Sequence, residues 1–101
     1  MSGKPVEFHP EAVAEAEAAL AWYRERTLRA AEAFVSDLEK AIEAVSEAPH
    51  RWPLFDQGCR RYPLLRFPYF LIYREKPRSI EVLAVAHGRR RPGYWRSRKA
   101  G

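Results

Sequence analysis

The sequence has little sulfur and no long apolar run. Cys59 is its single cysteine, which excludes an internal disulfide and a multi-cysteine zinc site. The longest apolar stretches, near residues 70–73 and 82–86, are far shorter than the roughly 20 residues that a membrane-spanning helix needs. The opening Met-Ser-Gly-Lys-Pro is not followed by the apolar segment of a signal peptide. From these absences we expect a cytoplasmic protein that makes no contact with a membrane.

Several common catalytic motifs are missing as well. The three histidines, His9, His50 and His87, fall in different predicted elements, and no cysteine or acidic cluster joins them, so we expect no metal site. Gly88 stands alone, with no glycine-rich phosphate loop around it. No Ser/His/Asp arrangement is visible in the spacing. We therefore expect neither a metal nor another cofactor.

Acidic residues are scarce in the second half of the chain. Residues 1–50 carry five Lys and Arg against ten Asp and Glu, whereas residues 51–101 carry thirteen against three, so the net charges are −5 and +10. This asymmetry indicates a C-terminal half that meets a polyanion or an acidic partner. A basic surface that only aids solubility is the alternative.

The first half of the pattern predicts a strand and two helices. Lys4 to Phe8 suits a short opening strand, and Pro10 fits the first turn of the helix that follows. Apolar spacings of three and four predict helices from Glu11 to about Arg26 and from the break at residues 27–29 to about Glu47. Trp22 lies off the apolar stripe of the first helix. We expect it to pack on the second helix; an exposed patch covered by a partner is the alternative.

The second half predicts an aromatic loop and three strands. The loop, His50 to Gly58, is expected to fold back onto one end of the core. The strands are Cys59 to Arg66, where Pro63 indicates an edge or a bulge, Tyr69 to Glu75, and Ile80 to His87. The resulting fold is α+β, in the order β-α-α-β-β-β, with a helical hairpin packed on a small curved antiparallel sheet. We interpret residues 1–101 as one domain.

The last strand leads into the most function-like stretch of the chain. Strict alternation places Ile80, Val82, Ala84 and Ala86 on one face and the residues between them on the other. A strand this apolar on both faces must be covered on both sides. His87 ends it, and residues 88–95 read Gly-Arg-Arg-Arg-Pro-Gly-Tyr-Trp.

Arginines from two strand ends are predicted to meet on one rim of the sheet. The first and last strands of the predicted meander lead to these arginines, and we expect Arg61 and Arg90 to converge beside Tyr94. Guanidinium groups bind phosphates or carboxylates bidentately, and interleaved aromatic rings are typical of surfaces that stack on bases. Further members expected on this rim are Arg60, Arg66, Arg89, Arg91, Trp95 and Arg96.

Each of these residues also has a simpler interpretation. His87 either forms a structural hydrogen bond or acts as a general acid or base in RNA cleavage, with arginines stabilising the phosphorane. The run from Arg89 to Arg91 is either a solvated stretch or a binding surface. Trp95 is most simply a residue that caps the core.

The sequence resembles the RelE/ParE superfamily of type II toxin–antitoxin toxins, also called plasmid stabilisation proteins. The resemblance is carried by Val-Glu-Phe-His-Pro at the start, Ala-Trp-Tyr in the first helix, Arg-Phe-Pro-Tyr-Phe-Leu-Ile-Tyr, and Val-Leu-Ala-Val-Ala-His-Gly-Arg-Arg-Arg-Pro-Gly-Tyr-Trp near the end. It implies the β-α-α-β-β-β fold and a cognate antitoxin whose disordered segment folds across the toxin. An acidic, amphipathic segment would suit the basic half and an apolar groove between helices and sheet.

The resemblance also implies two possible targets. RelE-like members cut mRNA on the ribosome without a metal, and His87, Arg61, Arg90 and Tyr94 fall where that branch keeps catalytic residues. ParE-like members inhibit DNA gyrase and are not nucleases. The lysines that some nucleases carry before the second strand are absent, and the long helical hairpin is more like ParE, so we favour gyrase. An mRNA endoribonuclease and a non-toxic basic binding module that retains the fold are the alternatives.

Overall fold

Two helices lie on one face of a five-stranded sheet in the computed structural model, which describes residues 3–99. In chain order the elements are β1 (Val6–Phe8), α1 (Pro10–Arg26), α2 (Leu28–Glu47), a 3-10 turn (Pro49–Arg51), β2 (Leu54–Asp56), β3 (Cys59–Pro63), β4 (Tyr69–Glu75), β5 (Ile80–His87) and a 3-10 turn (Arg96–Arg98). The predicted α+β fold is therefore confirmed. No helix within the described range is long and apolar enough to cross a membrane.

The helical hairpin is set by local signals that the sequence carries. Pro10 occupies the first turn of α1, and the His9 side chain accepts a hydrogen bond from the N–H of Glu11. Thr27 ends α1 and also caps α2, because its Oγ1 accepts a 2.9 Å hydrogen bond from the N–H of Ala30. A single residue thus separates the two helices.

The sheet contains one strand more than predicted and is mixed rather than wholly antiparallel. Its order is β1-β5-β4-β3-β2, and β1 pairs in parallel with β5. The extra strand β2 lies within the predicted aromatic loop. Gln57 and Gly58 both have positive φ, 46° and 85°, so a tight turn pairs Asp56 with Cys59. The sequence signal for this hairpin is the dipeptide Gln57-Gly58 between two stretches that each mix apolar and polar residues.

Both faces of β5 are covered, as predicted, but strict alternation along the strand is wrong. The pairing with β4 shifts between Ile72 and Tyr73, which lie opposite Ala84 and Val82, so Leu83 is the extra residue of a β-bulge. The bulge places Val82 and Val85 in the core on the helix side, while Leu83 and Ala84 join the core on the other side.

The aromatic residues of the predicted loop pack on both faces of the sheet. Trp52 packs edge-on against Tyr62 with ring centroids 4.8 Å apart, and Phe55 lies 5.8 Å from Trp95. The prediction that Trp22 packs on α2 is wrong. Its side chain is 51% exposed, and the guanidinium of Arg26 lies 3.6 Å over its ring.

Candidate functional site

Arg61 and Arg90 line one small cavity on the face of the sheet away from the helices. The cavity, of about 50 Å³, is also lined by His87, Gly88 and Tyr94. Strand β3 supplies Arg61, and the turn after β5 supplies Arg90. The structure thus brings together the four residues that the sequence suggested as catalytic.

Aromatic rings hold both guanidinium groups in place. The Cζ atom of Arg61 lies 4.3 Å from the ring centroid of Phe55 and 4.7 Å from that of Phe70. The Cζ atom of Arg90 lies 3.8 Å from the ring centroid of Tyr94. Each exposed cation–π contact of this kind contributes on the order of 0.5–1 kcal/mol. The rings therefore orient the two cations while leaving N–H groups free to bind an anion.

Tyr94 is tied to the first helix by a hydrogen bond. Its hydroxyl donates to Oε2 of Glu15 over 2.8 Å. Burial, together with this bond and the negative charge of Glu15, raises the pKa of Tyr94 well above its usual range. In this arrangement the phenol hydroxyl is already engaged as a donor to Glu15.

Glu15 collects donors from three parts of the chain. Besides Tyr94, it accepts a 2.9 Å hydrogen bond from the N–H of Val85 and a bidentate pair from Arg98 at 3.1 and 3.0 Å. Sequence reasoning missed Glu15, because its partners are 70 to 83 positions away and no local pattern marks them.

His87 keeps one ring nitrogen free at the end of β5. Its Nδ1 accepts a 3.0 Å hydrogen bond from the N–H of Arg89, so the neutral ring carries its proton on Nε2. The ring stands edge-on to Tyr69, with centroids 5.1 Å apart. This geometry fits the structural role weighed for His87 and leaves Nε2 open to a ligand.

A larger groove runs between α1 and the end of β5. It has a volume of about 520 Å³ and shares His87 and Arg90 with the small cavity. Its apolar walls come from residues on both sides: Ala18, Ala19, Trp22, Tyr23, Pro68, Tyr69 and Val85. Trp22 is therefore an exposed aromatic residue on a groove wall, and the alternative that a partner covers it stays a prediction.

Three arginines and one tryptophan expected on the rim lie elsewhere or are already engaged. Arg60 faces the helix side of the sheet and donates to the carbonyl of Trp52 over 2.6 Å. Arg66 binds the buried carboxylate of Asp37, and Arg96 binds Asp56. Trp95 is 2% exposed. The expectation of one large rim is corrected to a smaller surface, because acidic residues and carbonyls engage these arginines.

Four arginines remain without a carboxylate partner around the cavity. Across residues 3–99, no Asp or Glu oxygen lies within ion-pair distance of these side chains, which we name the arginine patch: Arg61, Arg89, Arg90 and Arg91. All four are exposed. Within the same range, no three His, Cys, Asp or Glu side chains are grouped so that they could hold a metal ion.

The fold and this surface together define a small α+β protein with a basic surface near the end of its last strand. Residues 6–92 match the family described as the ParE toxin of type II toxin-antitoxin systems, parDE, and the chain belongs to that family. It is therefore a type II toxin of the RelE/ParE superfamily.

A solved structure supports the fold assignment. The chromosomal ParDE TA system from P. aeruginosa contains a chain that is similar over 83% of the present chain and 95% of its own length, with a TM-score of 0.72 and 19% sequence identity. At this identity the likeness establishes the shared fold. A comparison with curated proteins gave no match.

Proposed function

We propose that this toxin acts by binding DNA gyrase and that a cognate antitoxin neutralises it. The observation that carries the gyrase proposal is the engagement of Tyr94 by Glu15. General acid–base cleavage of RNA takes one proton from the attacking hydroxyl and gives one to the leaving oxygen. Around the cavity, His87 has a free ring nitrogen, whereas the Tyr94 hydroxyl is already used. The surface is thus equipped for binding and is short of a second proton-transfer group.

The groove beside Trp22 supports the antitoxin part of the proposal. Its lining is largely apolar, with Trp22 half exposed, and it also includes His87 and Arg90. An amphipathic acidic segment would place its apolar side chains in the groove and its carboxylates near the arginine patch. The similar P. aeruginosa chain belongs to a ParDE toxin–antitoxin system.

A supercoiling assay with purified gyrase tests the proposal. We expect wild-type toxin to inhibit supercoiling and the product of the adjacent reading frame to restore it. Arg90→Gln is expected to raise the inhibitory concentration roughly tenfold or more, because truncating a central interface arginine costs about 2 kcal/mol. Arg78→Gln, an exposed arginine in the β4–β5 turn, is the matched control. Absence of inhibition by the wild type, at an excess of toxin over gyrase, would contradict the proposal.

An mRNA endoribonuclease is the second candidate, favoured by the free Nε2 of His87 next to Arg61 and Arg90. Mapping of transcript ends in a cell-free translation reaction tests it. Cuts that appear with the wild type and vanish with His87→Gln would assign the toxin to the nuclease branch. Uncut transcripts together with growth arrest on expression would reject the nuclease and the non-toxic module, and would favour a toxin that acts by binding a protein.

A further inference from the structure

The arginine patch presents cations and conceals its aromatic rings. Arg61 covers the faces of Phe55 and Phe70, and Arg90 covers Tyr94. Proteins that bind single strands stack bases on open aromatic faces. Because these three faces are occupied by guanidinium groups, the patch offers no stacking platform. The sequence suggested that Tyr94 and Trp95 stack on bases. The structure instead favours a contact between the arginines and phosphate groups.

The patch also lacks a roomy pocket for apolar anchor side chains. Protein interfaces gain most of their affinity from side chains buried in well-packed pockets. The cavity that Arg61 and Arg90 line measures about 50 Å³. The roomy apolar groove lies on the other side of His87. A peptide with apolar anchors therefore fits the groove and not the patch.

Unpaired guanidiniums of this kind suit a line of phosphate groups. Each guanidinium is planar and can bind two oxygens of one phosphate, and the stacked rings hold two of the four at a defined orientation. The consecutive run from Arg89 to Arg91 adds charge beside them, and Arg91 lies next to Arg90 along a second open surface depression. Contacts to phosphates alone position a protein on nucleic acid without reading its sequence.

We propose that the arginine patch binds the phosphodiester backbone of duplex DNA without base recognition, so that the toxin contacts DNA as well as its protein target. The choice of DNA over duplex RNA rests on the proposed function, since gyrase holds duplex DNA. The binding is sequence-independent. Its logarithmic affinity falls with the logarithm of salt concentration, with a slope of about −0.9 for each phosphate contacted.

Fluorescence anisotropy with the full chain and a labelled DNA duplex of about 20 base pairs tests this between roughly 50 and 200 mM salt. Arg61→Met keeps an unbranched side chain on Phe55 and Phe70 while removing the charge. Arg90→Met does the same on Tyr94. Each is expected to weaken binding several-fold on every duplex sequence and to reduce the salt slope by about 1. Arg78→Gln, remote from the patch, keeps the wild-type affinity and slope, and Arg61→Lys, which keeps the charge, keeps the wild-type slope.

The outcomes separate this inference from the gyrase proposal. Wild-type salt slopes in folded Arg61→Met and Arg90→Met would overturn it, as would tighter binding to duplex RNA, to single-stranded DNA or to poly-glutamate. Toxin binding to gyrase is measured separately, on nuclease-treated enzyme without DNA. If the toxin does not bind gyrase but does bind DNA through these arginines, the gyrase proposal alone is rejected. Intact gyrase binding without DNA binding would reject the inference alone.

Discussion

The hydroxyl of Tyr94 and the carboxylate of Glu15 are joined by a 2.8 Å hydrogen bond across 79 positions of the chain. The bond belongs to a network that covers the edge of β5 beyond the reach of β1. Strand β1 pairs with residues 80–82, and past that point Glu15 accepts from the N–H of Val85 while Arg98 donates to the carbonyl of Leu83. Side chains from α1 and the C-terminal segment thus replace a neighbouring strand and protect an edge that would otherwise be open to pairing.

Removing the Tyr94 hydroxyl separates a structural role from a catalytic one. Tyr94→Phe keeps the ring beneath Arg90 and deletes the hydrogen bond to Glu15. We expect it to lower the free energy of unfolding by about 1–2 kcal/mol and to leave growth arrest at the wild-type level. Urea denaturation and a plating assay measure the two effects. Full loss of toxicity in a variant that unfolds at the wild-type urea concentration would assign a chemical role to the hydroxyl.

Truncating Glu15 tests the edge network itself. Glu15→Ala leaves the N–H of Val85, the hydroxyl of Tyr94 and the guanidinium of Arg98 without their shared acceptor. We expect a loss of about 2–4 kcal/mol in the free energy of unfolding, because partly buried donors lose a charged partner. Glu17→Ala, on the exposed surface of the same helix, is the control and should change stability by less than about 0.5 kcal/mol. Equal effects of the two substitutions would show that the network contributes little.

The ion pair between Asp37 and Arg66 makes stability depend on pH. Asp37 is 1% exposed and accepts hydrogen bonds from the N–H, Nε and Nη2 of Arg66. Burial by itself would raise the pKa of Asp37, but these bonds and the charge of Arg66 outweigh it and hold the pKa below its usual value of 3.8. Since the folded pKa is the lower one, the stabilisation is fully present above the unfolded pKa and is lost as the pH falls through the folded pKa.

Unfolding free energies measured between about pH 3 and pH 7 test this linkage. Asp37→Asn should be less stable than the wild type at neutral pH by about 2–3 kcal/mol. The gap should narrow toward the acidic end, because Asp37 takes up a proton in the unfolded wild-type chain before it does so in the folded one. Glu39→Gln, exposed on the same helix, provides the matched control. A constant gap across the range would show that the Asp37 charge is not the source of the stabilisation.

Trp22 provides a test of the groove as the antitoxin site. Trp22→Ala removes an exposed ring that contacts Tyr23 and Arg26, so little stability should be lost. We expect affinity for the product of the adjacent reading frame to fall by roughly a hundredfold, as for an aromatic hot spot. Isothermal titration calorimetry measures the affinity, with Leu65→Ala, an exposed apolar residue outside the groove lining, as the control. Unchanged affinity in Trp22→Ala would place the antitoxin elsewhere.

Elements built from contacts within a few residues could be predicted. The bounds of α1 and α2 follow from Pro10, Thr27 and a regular apolar stripe, and β4 and β5 were placed to the residue. These features depend on backbone preferences and amphipathic spacing, which act within about one turn or one hairpin. The burial of β5 on both faces also follows from its composition alone.

Features set by distant partners were missed or misplaced. The bulge at Leu83 depends on the register against β4. The parallel pairing of β1 depends on how the hairpin returns the chain to the sheet. None of these choices leaves a mark in periodicity, because each is decided by packing between elements.

For the candidate site, too, some features follow from the sequence and others only from the tertiary structure. The sequence by itself determined that the second half is strongly basic, that Arg61 lies in one strand, and that His87, Arg90 and Tyr94 end or follow another, because charge and strand order are read directly from the residues. Tertiary structure alone decided which arginines stay free. Asp37, Asp56 and Glu15 reach Arg66, Arg96 and Arg98 across 29, 40 and 83 positions, and such ion pairs depend on distances in space that residue order does not encode.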